Sequence, residues 1–101
     1  MNTKIYSISN EEIREFCQRW EIIEFSLFGS VLRDDFNEQS DIDVLVVFAD
    51  GAEIGLFEIA QIKVELENLY GRSVDVIEKA SLRNPYRRDE ILKTAQVLYA
   101  N

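Results

Sequence analysis

The sequence predicts an α/β (α+β) fold, a small mixed β-sheet of about three to four strands flanked by helices. Three short segments, IIEFSLF, DIDVLVVF and SVDVIE, are rich in the β-branched and aromatic residues that favour strands. Between them, apolar residues recur at the spacing of one helical face. The chain has 101 residues, so we expect a single domain over residues 1–101.

The first predicted element is a helix over roughly residues 10–20. Ser9 and Glu12 have the spacing of a capping box, in which each side chain bonds the backbone N–H of the other residue. Four apolar residues follow at the spacing of one helical stripe: Ile13, Phe16, Cys17 and Trp20. We therefore expect Cys17 to be a small core residue rather than a reactive thiol.

Two strands and a break between them are expected next. Residues 22–28 form the first strand, and Gly29-Ser30 ends it. A short helix over residues 31–35 and a loop over 36–40 lead to the clearest strand, residues 41–48. Because successive positions of that strand are apolar, both of its faces should be covered, which indicates a central strand.

The second half predicts a helix, a strand and a closing helix. After an Asp50-Gly51 turn, a helical stripe ends at Gly71 and comprises Leu56, Ile59, Ile62, Leu66 and Leu69. Residues 73–78 form the third strand. Asn84-Pro85 then opens a last helix that we expect to continue as far as Tyr99.

The composition excludes several function classes. With 19 acidic and 11 basic residues the net charge is −8, which disfavours nucleic-acid and anionic membrane partners. The chain has one cysteine and no histidine, so disulfides, Ser-His-Asp or Cys-His catalysis and histidine-based zinc sites are not expected. Metal chemistry would need oxygen ligands, which favours Mg²⁺ or Mn²⁺. There is neither a signal peptide nor an apolar run of 18 residues, so we expect a cytoplasmic protein.

Two carboxylates stand at the start of the clearest strand. Because strand side chains alternate between faces, Asp41 and Asp43 should point the same way, with their Cα atoms about 6.5 Å apart. Their oxygens could converge on one divalent cation or share two. The alternative is a pair of solvated carboxylates at an exposed strand end.

Asp75 adds a third carboxylate. It stands between Val74 and Val76 in a predicted strand, where a charged side chain is disfavoured. If this strand neighbours that of Asp43, the three acids form a cluster suited to a metal. Alternatively, Asp75 is an outward-facing residue of an edge strand.

Gly29 and Ser30 suggest an anion site opposite these acids. Gly29 has no Cβ, so a phosphate can approach its backbone, and Ser30 offers a hydroxyl where a short helix begins. Arg33 is the nearest cation and could reach a phosphate or pair with Asp34 or Asp35. The segment matches neither a Walker A loop nor a Rossmann fingerprint, and an ordinary strand-to-helix turn is the alternative.

Together these residues resemble a known signature. Gly29-Ser30, ten further residues and Asp41-Ile42-Asp43 resemble the G-S-x10-D-x-D motif of the DNA polymerase beta-like nucleotidyltransferase superfamily. The segment from Leu27 to Phe48 looks like its minimal members, the MNT proteins, which are often paired as antitoxins with all-helical HEPN toxins. The resemblance implies the polymerase beta-like nucleotidyltransferase fold and extends more loosely through residues 73–78.

The resemblance also implies roles for the site residues. Gly29 and Ser30 would hold the β- and γ-phosphates of ATP, while Asp41 and Asp43 would carry two Mg²⁺ ions, with Mn²⁺ as an alternative. Asp75 would ligate the metal beside the attacking hydroxyl and help to deprotonate it. Many members carry Arg directly after the Ser, where this chain has Val31, so Arg33 is left as the cation of the turn.

By the same resemblance, we expect AMP transfer from ATP to a hydroxyl, tyrosine foremost, of a HEPN-type partner protein. A non-catalytic module that inhibits its partner by occlusion, and a stand-alone transferase for a small molecule, are the alternatives. The sequence is compatible with a homo-oligomer. Arg87 and Arg88 could contact the triphosphate, face a partner or stand solvated at a helix start.

Overall fold

The computed structural model describes residues 8–32 and 40–101, and within them it confirms the α/β prediction. In chain order the elements are α1 (Asn10–Arg19), β1 (Ile22–Phe28), a 3₁₀ helix (Gly29–Leu32), β2 (Ile42–Phe48), α2 (Leu56–Tyr70), β3 (Val74–Glu78), a second 3₁₀ helix (Lys79–Ser81), α3 (Pro85–Thr94) and β4 (Gln96–Ala100).

The four strands form one mixed sheet in the order β3-β2-β1-β4. β1 is antiparallel to β2 and to β4, whereas β2 and β3 are parallel. Parallel neighbours need a crossover connection, and α2 provides it. β2 lies between β1 and β3, so the prediction of a central strand is confirmed.

The two faces of the sheet bury separate apolar clusters. On the α1/α2 face, helices α1 and α2 cover strand residues such as Phe25, Val44 and Val46. Phe16 meets Phe25 edge to face, with ring centroids 6.1 Å apart, and Cys17 is fully buried, as predicted. On the opposite, α3 face, a smaller cluster comprises Phe28, Leu45, Leu82 and Ile91.

The predicted helix caps are present. Ser9 Oγ accepts a hydrogen bond from the Glu12 N–H at 3.1 Å, and Glu12 Oε1 accepts one from the Ser9 N–H at 3.2 Å. Asn84 Oδ1 accepts from the backbone N–H groups at the start of α3. These side chains satisfy backbone donors that have no partner within the helix.

The last helix is shorter than predicted. It ends at Thr94, Ala95 is extended, and Gln96–Ala100 form the strand β4, which pairs with β1. The prediction of a helix as far as Tyr99 is therefore wrong. Val97, Leu98 and Tyr99 favour a strand, and β1 offers them an edge to pair with.

Two further predictions are corrected in detail. Of the apolar stripe of α2, Ile62 and Leu66 are buried, whereas Leu56 is 90% exposed and Leu69 39%. Leu56 lies six positions before Ile62, so it is turned away from the buried face by about 120°. The short helix expected over 31–35 begins earlier, at Gly29, and its residues 33–35 lie outside the described part of the chain.

None of the helices in residues 8–32 and 40–101 is long and apolar enough to cross a bilayer.

Candidate active site

Asp43 and Asp75 lie side by side on neighbouring strands. The parallel register pairs Asp43 of β2 directly with Asp75 of β3. Paired residues of adjacent strands are about 4.8 Å apart and share a face of the sheet. Asp43 is half-buried and Asp75 is exposed, so the pair stands at the rim of the sheet, open to a ligand.

Asp41 lies just outside the strand. β2 begins at Ile42, one residue later than predicted, and Asp41 is exposed immediately before it. The Ile42 N–H donates to the Ser73 carbonyl at 3.0 Å, which ties the segment of Asp41 to the start of β3. All three acids of the prediction therefore belong to the same edge of the sheet.

Gly29 is packed against Asp43. Phe28 at the end of β1 pairs with Asp43, so the chain turns into its 3₁₀ helix directly beside this carboxylate. Gly29 has a φ of 77°, and a Cβ built on it would collide with Asp43 Oδ2. Only glycine avoids both the backbone strain and the collision, so this turn requires the residue that the sequence places there.

The remaining residues predicted to bind the nucleotide are placed only in part. The backbone of Ser30 lies in the 3₁₀ helix directly after Gly29. Arg33 lies outside the described residues. Arg88 Nη1 donates to the carbonyls of Lys79 and Leu82 at 3.5 and 3.4 Å, which joins the second 3₁₀ helix to α3. Arg87 is exposed at the start of α3.

Arg72 is a residue of this region that sequence reasoning missed. Its Nη1 donates to the Ser40 carbonyl at 3.0 Å. This bond joins the segment before β3 to the residue that precedes Asp41. The available signal was its position, a basic residue between the Gly71 helix stop and the strand that carries Asp75. It places a positive charge near the predicted acids.

A side-chain clamp from α2 holds the first residue of β3. Glu67 Oε2 accepts from the Val74 N–H at 3.1 Å, and Lys63 Nζ donates to the Val74 carbonyl. Lys63 and Glu67 also form an ion pair at 3.2 Å. The hydrogen bond from the Val74 N–H is the main reason why the pKa of Glu67 lies below its ordinary value, and Lys63 lowers this pKa further. Since Val74 precedes Asp75, the clamp fixes the position of that carboxylate.

A cavity of about 540 Å³ opens beside Gly29, between the first 3₁₀ helix and α3. Its lining residues are Phe28, Gly29, Leu32, Glu90, Ile91 and Thr94. Thr94 Oγ1 donates to the Glu90 carbonyl at 3.0 Å, so the hydroxyl is engaged by its own helix. No sequence pattern indicated this cavity, because it depends on how α3 packs against the end of β1.

The carboxylates suit Mg²⁺ that arrives with a nucleotide. Within residues 8–32 and 40–101, no three His, Cys, Asp or Glu side chains stand close enough together to hold a metal by themselves. Mg²⁺ does not need such a cage, because it is usually bound through one or two carboxylates, water and substrate phosphates. Asp43 and Asp75, which are in register, would supply the carboxylates of such a donor set.

The fold and this paired-carboxylate edge define a nucleotidyl-transferring enzyme. A family model described as the nucleotidyltransferase domain matches residues 10–98. The chain belongs to that family, as a minimal nucleotidyltransferase domain.

Known proteins agree with this assignment. The protein adenylyltransferase MntA of Thermococcus cleftensis is 33% identical over 81 residues, 80% of this chain and 80% of that protein. A solved structure assigned to the minimal nucleotidyltransferases matches with 34% identity and a TM-score of 0.71, over 86% of both chains.

One solved complex contains a second protein. It comprises a tri-AMPylated Shewanella oneidensis HEPN toxin and an MNT antitoxin, and it matches with a TM-score of 0.65 and 18% identity. The match covers 91% of this chain and 70% of that chain. At this identity the likeness shows the shared fold alone.

Proposed function

We propose that this chain transfers AMP from ATP to a hydroxyl of a HEPN-type partner protein, with tyrosine as the acceptor, and acts as the antitoxin of the pair. The observation that carries the proposal is the register of Asp43 with Asp75 beside the glycine turn at Gly29. The adenylyltransferase name of the Thermococcus cleftensis relative supports it. So does the AMPylated HEPN toxin in the Shewanella oneidensis complex.

The proposal assigns a role to each site residue. The backbone at Gly29 and Ser30, where the chain turns into the first 3₁₀ helix beside Asp43, receives the β- and γ-phosphates. Arg33 adds positive charge to the same phosphates. Asp41 and Asp43 would hold two Mg²⁺ ions, and Asp75 would complete the ligands on the acceptor side. When bound, Mg²⁺ supplies charge neutralisation at the attacking and leaving oxygens.

The reaction is an in-line displacement at the α-phosphorus. The acceptor hydroxyl oxygen forms a bond to the α-phosphorus, and the bond from that phosphorus to the oxygen bridging the β-phosphate breaks. Pyrophosphate leaves with the bond electrons. Asp75, on the outer strand, takes the proton of the hydroxyl as a general base. The product is a phosphodiester between AMP and the partner.

The proposal is tested by mass measurement. We incubate the chain with ATP, Mg²⁺ and a purified HEPN-type protein of the same genome, and measure the intact mass of both proteins. Asp43→Asn is expected to abolish the adenylyl increment on the partner, because the carboxylate beside Gly29 loses its charge. Asp50→Asn is the matched control, since it makes the same change in the turn after β2 and should transfer AMP normally.

The outcome also separates catalysis from occlusion. If the chain inhibits the partner without any change of mass, and Asp43→Asn inhibits equally well, the transferase proposal fails and occlusion replaces it. If the increment appears but Tyr→Phe variants of the partner retain it, the acceptor assignment fails and the transfer stands. Peptide mapping of the modified partner identifies the acceptor directly.

A further inference from the structure

The solvent-facing side of α2 carries large apolar side chains. Phe57 is 70% exposed and Val64 is 56% exposed, and their spacing of two helical turns brings both to the same side of the helix. Val64 lies two positions from buried Ile62 and two from buried Leu66, so it points almost directly away from the core. Large apolar side chains exposed together on one surface are typical of a protein-protein interaction site.

This surface continues into a groove against the end of α1. The groove, which we call the docking groove, has a volume of about 430 Å³ and is lined by Trp20, Phe57, Ala60, Gln61, Val64 and Glu65. Trp20 Nε1 donates to Glu65 Oε1 at 3.0 Å, and Arg19 forms an ion pair with the same carboxylate. These bonds fix the indole ring, so the groove is preformed.

The docking groove lies on the opposite side of the sheet from the candidate active site. α2 packs on the α1/α2 face, where Val44 and Val46 point. Asp43 and Leu45 alternate with those valines and therefore point to the α3 face. A molecule seated in the groove leaves the carboxylates open.

Charge identifies the kind of occupant. The chain carries a net charge of −8, and exposed Glu21 directly follows Trp20, a residue of the groove wall. Arg19, a cation at the groove edge, is already paired with Glu65. A second copy of the chain would bring like charge to this surface, whereas a partner with basic residues around an apolar centre would be attracted.

We propose that the docking groove binds an apolar helix face, flanked by Lys or Arg, of the HEPN-type partner. An apolar groove along a helix accepts the apolar face of another helix, here with Phe57 and Val64 of α2 and Trp20 after α1 as the apolar centre. The identity of the partner rests on the proposed function. The location of the surface rests on the exposure of α2 and on the charge around the groove.

The test compares two valines of similar exposure. Val64→Glu places a charge in the docking groove, and Val97→Glu places the same charge on β4, where Val97 is 51% exposed. Binding to the purified HEPN-type protein is measured by calorimetry and light scattering without ATP. We expect Val64→Glu to raise the Kd by about tenfold or more and Val97→Glu to leave it within about twofold. Thermal melting confirms that both variants are folded.

A charge reversal tests the chemistry of the partner. Glu21→Lys should weaken binding and reduce its dependence on salt, because an attraction across the interface becomes a repulsion. Glu11→Lys, in the exposed first turn of α1, is the control and should bind like the wild type. Equal binding by Glu21→Lys would overturn the assignment of a basic partner.

Three outcomes would overturn the docking proposal. One is wild-type affinity in Val64→Glu, and another is a wild-type chain that does not bind the HEPN-type protein. The third is a wild-type chain that self-associates and that Val64→Glu makes monomeric, which would assign the groove to a second copy. Failure of AMP transfer is a separate result from failure of docking. Asp43→Asn should bind the partner normally even though it transfers no AMP. Conversely, if no AMP transfer is observed, loss of the complex in Val64→Glu would still support the docking groove.

Discussion

At the scale of single residues, the contact between Gly29 and Asp43 joins the two halves of the nucleotidyltransferase motif. The sequence predicted a glycine that lets a phosphate approach. The structure adds that the same missing Cβ makes room for a carboxylate oxygen of β2. The ten-residue spacing between the halves could not reveal this, because the contact depends on the pairing of Phe28 with Asp43.

Gly29→Ala should therefore impair both stability and activity. A residue at φ 77° costs about 1 kcal/mol when glycine is replaced, and the new methyl group displaces the Asp43 carboxylate. Gly51→Ala is the control, since Gly51 has a φ of 85° with no atom within 4 Å of a new Cβ. Urea unfolding should show comparable losses from backbone strain, while AMP transfer falls only in Gly29→Ala. Normal transfer by Gly29→Ala would disprove a role for this contact.

Tyr70 supports a second prediction at this scale. Its hydroxyl is buried without a hydrogen-bond partner in the described part of the chain, and burial raises the pKa of its phenol to about 12. Tyr70→Phe removes this polar group, so we expect equal stability or a gain of about 1 kcal/mol in the free energy of unfolding. Exposed Tyr86→Phe should be neutral. A clear loss of stability in Tyr70→Phe would mean that the hydroxyl has a partner.

At the scale of elements, the caps and the apolar spacing predicted most of the helices and strands. They failed at the last helix, because Leu98 and Tyr99 continue the helical spacing of Ile91 and Ala95. The spacing of apolar residues does not indicate that one edge of β1 is available for pairing, because that edge forms only when the sheet assembles. The same limit applies to Leu56, whose exposure follows from where α2 rests on the sheet.

The clamp between α2 and β3 predicts a dependence of stability on pH. The pKa of Glu67 is lowered in the folded state, so its stabilisation is present above the ordinary carboxyl pKa of 4.5 and is lost as the pH falls through the lowered value. Glu67→Gln should be less stable than the wild type at pH 7, and the difference should shrink below about pH 4.5. Urea unfolding across this range measures it. A difference that is constant with pH would contradict an ionised clamp.

At the scale of the whole molecule, Cys17 reports on global opening. Its side chain is fully buried, and burial raises the pKa of the thiol to about 12. A thiol reagent at pH 8 should therefore label Cys17 only when the chain unfolds, whereas labelling in urea should be immediate. Mg²⁺-ATP should slow the labelling of the folded chain, because a ligand that binds only the native state lowers the unfolded fraction. Rapid labelling without denaturant would show that α1 opens locally.

The sequence named residues of the candidate site but not the contacts that hold them in place. The two-part motif and Asp75 named the acids, but whether their strands are neighbours stayed a condition, which the register of β2 with β3 now fulfils. Arg72 and the α2 clamp were not predicted, because their partners are backbone carbonyl and N–H groups that no sequence pattern marks. The functional roles of these residues stay predictions that the mass and binding experiments test.

The docking groove and the carboxylates lie on opposite faces of the sheet, which affects how a partner bound in the groove could bring its hydroxyl to the carboxylates. The shortest dimension of the molecule is 24 Å. A partner held behind the sheet would have to reach around the molecule to present its own hydroxyl to the carboxylates, and an extended segment needs about seven residues to span that distance. With a shorter segment, the acceptor would come from another partner molecule. A bound partner would then act as an anchor that raises the local concentration of its neighbours, and the rate of modification would depend on how many partners assemble together.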